Sequence, residues 1–188
     1  MRLAGDEAQK AVELDSADAD ALGFRALAAG NLGDYAGGFD YADRALLINP
    51  SCATAHHTKG WLQIFTGRPA EGRHAILLGI RLDPRRAFYP FVRSHIVMSY
   101  YIECDYETTV AEAVRVIADH LDHPLVYRWL AAALGQLGRS DAARAALNKA
   151  IAIAPDVFHM YVEQRVPWMG QAVYDHMLEG LRKAGWQG

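Results

Sequence analysis

The stretch GDYAGGFDYADRALLINP, residues 33–50, opens on a Gly followed by a polar residue, carries an apolar stripe and stops at Pro. GRPAEGRHAILLGIRLDP at residues 67–84 and GRSDAARAALNKAIAIAP at residues 138–155 have the same shape. In the first stretch Phe39, Ala42, Leu46 and Ile48 supply the stripe at roughly helical spacing. The opening Gly suits the left-handed conformation that ends one helix. The closing Pro lacks an N–H and clashes with the preceding turn, so it ends the next helix. Each stretch therefore reads as a turn plus the second helix of a helix–turn–helix unit.

The residues that open these second halves are Gly33, Gly67, Cys104 and Gly138, at successive spacings of 34, 37 and 34. Small residues recur where two helices must cross closely: Ala26, Gly38 and Ala45, then Gly60, Gly72 and Gly79, then Ala131, Ala143 and Ala150. A larger side chain there forces the helices apart, and such overpacking costs about 1–3 kcal/mol. The third unit departs from the pattern, with Val97, Thr109 and Val116 at the small positions, Cys104 for the turn Gly and Leu121 in place of Pro. A distorted unit with a wider helix crossing is expected there.

A helix–turn–helix that returns every 34 residues resembles the tetratricopeptide repeat family. The resemblance covers nearly the whole chain and implies an all-α, right-handed superhelix, an α-solenoid. The units run over residues 19–52, 53–86, 90–123 and 124–157, with Ala87–Tyr89 as a three-residue insertion. AVELDS (Ala11–Ser16) aligns with ALLINP (Ala45–Pro50), so residues 1–18 hold the second helix of a preceding unit whose first helix is missing. A repeat hides its apolar face only against a neighbour. The orphan helix is therefore expected to mark either a chain cut from a longer protein or a natural cap. Residues 158–188 form no further repeat. Phe158–Arg165 reads as a short helix halted near Pro167, and Ala172–Ala184 as a capping helix with Val173, Tyr174, Met177, Leu178 and Leu181 on one face.

GWLQIFTGRPAEG (Gly60–Gly72), the closing GLRKAG (Gly180–Gly185) and the irregular third unit also resemble the C-terminal tetratricopeptide regions of bacterial class III adenylate cyclases and winged-helix regulators. That resemblance implies a regulatory module of a larger signalling protein. It transfers no catalytic or metal-binding residue.

Composition sets outer bounds. Half the residues are apolar (52%), and 19 Lys and Arg against 22 Asp and Glu leave a net charge of −3. That balance is ordinary for a globular protein and lacks the basic excess of a nucleic-acid binder. Cys52 and Cys104 form no paired framework, which fits a reducing, cytoplasmic setting. Asp6 and Glu7 interrupt the N-terminus before an apolar run develops, so no signal peptide is expected. Nor is there an uncharged stretch near the ~20 residues of a membrane span.

No HExxH, GxSxG, GxxxxGK or GxGxxG motif occurs, and no cofactor is expected. DHLDHP (Asp119–Pro124) could set Asp119, His120 and His123 on one helix face. It lacks Cys partners or a second ligand pair, so a solvated helix end is expected rather than a metal site.

By family resemblance, the first helix of each unit lines a concave groove. The inward positions are Phe24 and Leu27 in the first unit and His57, Trp61, Ile64 and Phe65 in the second. The third unit adds Phe91, His95, Met98 and Tyr101, and the fourth Arg128 and Trp129. The family's Lys-Asn-Arg clamp for terminal carboxylates is not reproduced. This aromatic groove suits an apolar peptide or amphipathic helix instead. His57 and Trp61 are the leading groove candidates, whereas Ile64, Met98 and Phe91 could equally pack between helices. The expected activity is protein–protein interaction, not catalysis. The partner would be a peptide, another domain of the parent protein, or a second copy in a homodimer. A small-ligand sensor or enzyme ranks last, because no nucleophile stands beside a base.

Overall fold

The computed structural model describes residues 2–85 and 89–188. Arg86, Ala87 and Phe88, and with them most of the expected insertion, lie outside the described residues. Among the described residues there are eleven α-helices and no strand. They divide into two compact units, Met1–Ala87 and Phe88–Gly188.

The first unit holds α1 (Arg2–Leu14), α2 (Ala19–Asn31), α3 (Tyr35–Ile48), α4 (Ala53–Phe65) and α5 (Pro69–Leu82). α2 packs on α3, α4 on α5, and α4 also lies against both members of the preceding pair. The second unit holds α6 (Tyr89–Ile102), α7 (Tyr106–Asp119), α8 (Pro124–Gln136), α9 (Ser140–Ile153), α10 (Pro155–Glu163) and α11 (Gln171–Lys183). Here α6 pairs with α7 and α8 with α9.

The turns inside the four pairs share one device. Gly33, Gly67 and Gly138 take φ of 84°, 84° and 70°, and Cys104 takes 61° at the matching place. The irregular third unit thus keeps the turn while using a residue for which the left-handed region is strained. Cys104→Gly is expected to raise stability by about 1 kcal/mol, read as a higher urea midpoint at unchanged slope. Helix starts are marked locally too. The Asp18 carboxylate accepts from the Asp20 and Ala21 N–H groups, Asp34 from Gly37 and Asp105 from Thr108. Pro69, Pro124 and Pro155 occupy first-turn positions, where a missing N–H costs nothing.

Helix crossings fall on the small residues. A Cβ built on Gly60 would run into the Gly72 carbonyl oxygen, and one on Gly72 into that of Gly60. The α4–α5 backbones therefore touch. Around the first joint Val12, Ala21, Leu22, Ala45, Cys52 and Ala55 form one buried cluster shared by α1 to α4.

Past the repeats, α10 begins three residues before the expected Phe158, because Pro155 both follows α9 and opens α10. α11 buries Met177, Leu178 and Leu181, and Gly185 closes it at φ 102°. The DHLDHP stretch is split between the end of α7 and the start of α8, so no single helix face carries Asp119, His120 and His123. No helix among the described residues is long and apolar enough to cross a membrane.

Candidate functional site

In the first unit, α1 and α2 diverge enough to leave a cleft of about 650 Å³. Its walls are Glu7, Ala8 and Ala11 from α1, and Ala21, Phe24, Leu27, Ala28 and Asn31 from α2. Four alanines make the space: small side chains on both helices leave room that Leu or Val would fill. Phe24 is 47% exposed, unusual for a ring of that size, and Leu27 is half-buried. Glu7 and Asn31 place polar groups among the lining residues. The Arg25 Nε–H donates to Gln9 Oε1 at 2.9 Å, and its guanidinium lies over the Tyr41 ring at 5.0 Å. That link braces α1 against α2 and fixes the width of the cleft.

The other inward positions of this unit are different. Trp61, expected on the groove surface, is only 2% exposed, and a Cβ on Gly30 of α2 would collide with its ring. The ring fills the space that Gly30 leaves, with Phe65 edge-on at 5.8 Å. His57 and Ile64 are buried as well, and Phe65 is half-buried. His57 is buried, while the half-buried His56 places Nε2 2.9 Å from the Pro50 carbonyl oxygen.

In the second unit part of the inward face of the repeats is covered by the chain itself. α11, the expected capping helix, packs chiefly along α8 and reaches α6 through Tyr101. The Tyr101 hydroxyl donates to the His176 carbonyl at 2.8 Å, and its ring stacks on the His176 imidazole at 4.5 Å. Trp129 lies 5.2 Å from the same Tyr101 ring, and Tyr106 Oη is 2.8 Å from His176 Nε2. Burial pushes the Tyr101 phenol well above its ordinary range and the Tyr106 phenol up to about 12; burial also lowers the His176 imidazole. All three groups are accordingly neutral near pH 7. Met98, Tyr101, Arg128, Trp129 and His95 are buried, and Phe91, 4.7 Å from the His95 ring, is half-buried. Of these, Tyr101 on α6 forms the seat of an internal helix rather than part of an open wall.

Arg128 is the unusual member. It is 2% exposed, with its Cζ 4.0 Å from the Tyr161 ring centre and 5.2 Å from that of Trp129. Burial drags its guanidinium down to about 10, with only the Tyr161 phenol opposing.

Of the twelve inward positions, Phe24 and Leu27 stand together on the wall of this cleft. The α1 wall was missed in the sequence, although Ala8 and Ala11 facing Ala21 and Ala28 carried the signal: small residues on both sides of one joint.

Residues 126–157 match the family model of the tetratricopeptide repeat. No curated protein sequence matches the chain significantly. Solved structures do match in fold. PilF of Pseudomonas aeruginosa is 17% identical with a TM-score of 0.65, over 93% of this chain and 79% of that one. TTC0263, a tetratricopeptide protein of Thermus thermophilus, is 18% identical with a TM-score of 0.65, over 91% and 87%. YrrB, a tetratricopeptide protein with an unusual peptide-binding site, is 15% identical with a TM-score of 0.59, over 95% and 94%. The all-helical chain thus has the fold of the tetratricopeptide α-solenoid proteins, and its residues 126–157 carry the repeat signature itself.

Proposed function

We propose that the chain is a protein-interaction scaffold that receives an apolar peptide or amphipathic helix in the α1–α2 cleft. The observation that carries this reading is Phe24, a large ring 47% exposed on the wall of a lined cleft. An exposed aromatic beside half-buried apolar neighbours is the kind of anchor that dominates peptide binding. The second unit supports the same chemistry. There the equivalent face is met by α11, whose buried residues Met177, Leu178 and Leu181 form one apolar stripe. An amphipathic helix is therefore what this chain already seats on one of its own inner faces. YrrB, similar in fold, is described as a peptide binder, which is consistent with the proposal. The expected place within a larger signalling protein receives no support from these comparisons, and the proposal does not use it.

The test is an array of amphipathic helical peptides with Leu or Phe at i, i+3 or i+4, and i+7, probed with wild type and Phe24→Ser. Losing a buried ring of this size weakens binding by about 1.5–3 kcal/mol, roughly 10- to 150-fold. The melting temperature should stay within a degree or two, because the ring is already half in water. No binder in the array, or equal binding by Phe24→Ser, would remove the cleft as the site. Light scattering over a concentration series reports whether a second copy fills it.

A further inference from the structure

Arg128 combines features that the fold alone does not require. The residue is almost wholly enclosed, and its Nε–H has no hydrogen-bond partner. Among the described residues no carboxylate forms an ion pair with it, and the only group opposing the effect of burial is the Tyr161 phenol. Burying a guanidinium without an acceptor is strongly unfavourable. The rings of Trp129 and Tyr161 recover part of that cost through cation–π attraction. A ring face offers no in-plane lone pair, so it cannot satisfy the N–H donors. Those donors, five in a rigid planar fork, match the oxygens of a carboxylate or phosphate.

We propose that Arg128 is the seat of a compact oxyanion, a carboxylate or phosphate group, bound on the edge of a guanidinium that lies against the rings of Trp129 and Tyr161. The anion supplies the acceptors that the protein withholds. Its charge also neutralises the buried cation, so binding strengthens the contact between α8, which carries Arg128, and α10, which carries Tyr161. The site differs from an open cluster of surface cations: one enclosed guanidinium with aromatic faces accepts a small, partly dehydrated group. Occupancy by a free anion or by the carboxylate of a bound acidic side chain uses the same chemistry. The proposal is independent of the α1–α2 cleft.

The experiment measures thermal unfolding of the full chain at fixed ionic strength while chloride is exchanged for acetate in one arm and inorganic phosphate in another. Wild type is expected to show a saturable rise of about 2–4 °C in at least one arm, as ligand binding to the folded state requires. The arm that responds separates carboxylate from phosphate recognition. Arg128→Met, similar in length but uncharged, should lose the rise, whereas Phe24→Ser should keep it. Should Arg128→Met fail to fold, the wild-type Arg128 Nε–H resonance provides the readout, with a saturable shift on titration. Equal rises in wild type and Arg128→Met would overturn the proposal. So would a resonance that never moves, which would leave water or the rings as the only partners of the guanidinium.

Discussion

Trp61→Ala is expected to lower stability by about 3–5 kcal/mol, the range for removing a buried large aromatic. The side chain is 2% exposed and fills the hollow beside Gly30 of α2, with Leu62 next to it and Phe65 edge-on at 5.8 Å. Truncation leaves a cavity that neighbouring backbones cannot close, because α2 and α4 are held by contacts along their length. Part of the loss is the transfer term for the ring, and part is the unfilled space. Chemical denaturation should show a reduced midpoint, and peptide binding in the α1–α2 cleft should fail in step with unfolding. A variant that keeps its midpoint but loses binding would instead place Trp61 on the surface, contrary to its burial. A single aromatic on the expected groove face thus serves the fold first.

This outcome shows where the sequence was readable. Turn glycines, the small crossing residues and the closing prolines act locally, within one or two helical turns of their own position. Their 34-residue return therefore translated directly into helix pairs, and Cys104 shows the same turn surviving a change of residue. Side-chain exposure is a property of what comes to lie opposite. Tyr101 and Trp129 stand at inward positions, yet the helix that covers them begins at Gln171, far along the chain. Periodicity within repeats carries no information about a segment that is not a repeat. Trp61 was misplaced for a related reason: its burial depends on Gly30, a position where the absence of a side chain is the signal. Phe24 and Leu27 were legible because their repeat positions by themselves place them on the wall of the α1–α2 cleft. Arg128 was legible only as an inward residue, since its ring partner Tyr161 also lies beyond the repeats.

The joint between α8 and α11 should be the most sensitive place in the second unit. A Cβ on Gly135 would enter the Gly180 carbonyl oxygen and approach the Ala184 nitrogen at 2.9 Å. A Cβ on Gly180 would meet the Tyr101 hydroxyl and the Ala132 carbonyl oxygen. Both obstacles are backbone or a hydrogen-bonded ring, neither of which can swing aside. Alanine improves helix propensity by about 1 kcal/mol over glycine, which works in the opposite direction. The clash wins, because relieving it means separating two helices and breaking the Tyr101–His176 contacts at once. Gly135→Ala and Gly180→Ala are each expected to cost about 2–3 kcal/mol net. They share one crossing, so the double variant should cost well under the sum: once α11 has lifted, the second methyl meets open space. Tryptophan and tyrosine emission gives a further readout, since Tyr101 and Trp129 gain solvent when the helix departs. Strict additivity, or a stabilised Gly180→Ala, would mean that α11 does not sit in this contact. With α11 lifted and the repeats still folded, the vacated face should bind the amphipathic peptides proposed for the α1–α2 cleft. The same variants therefore also ask whether both inner faces take the same kind of helix.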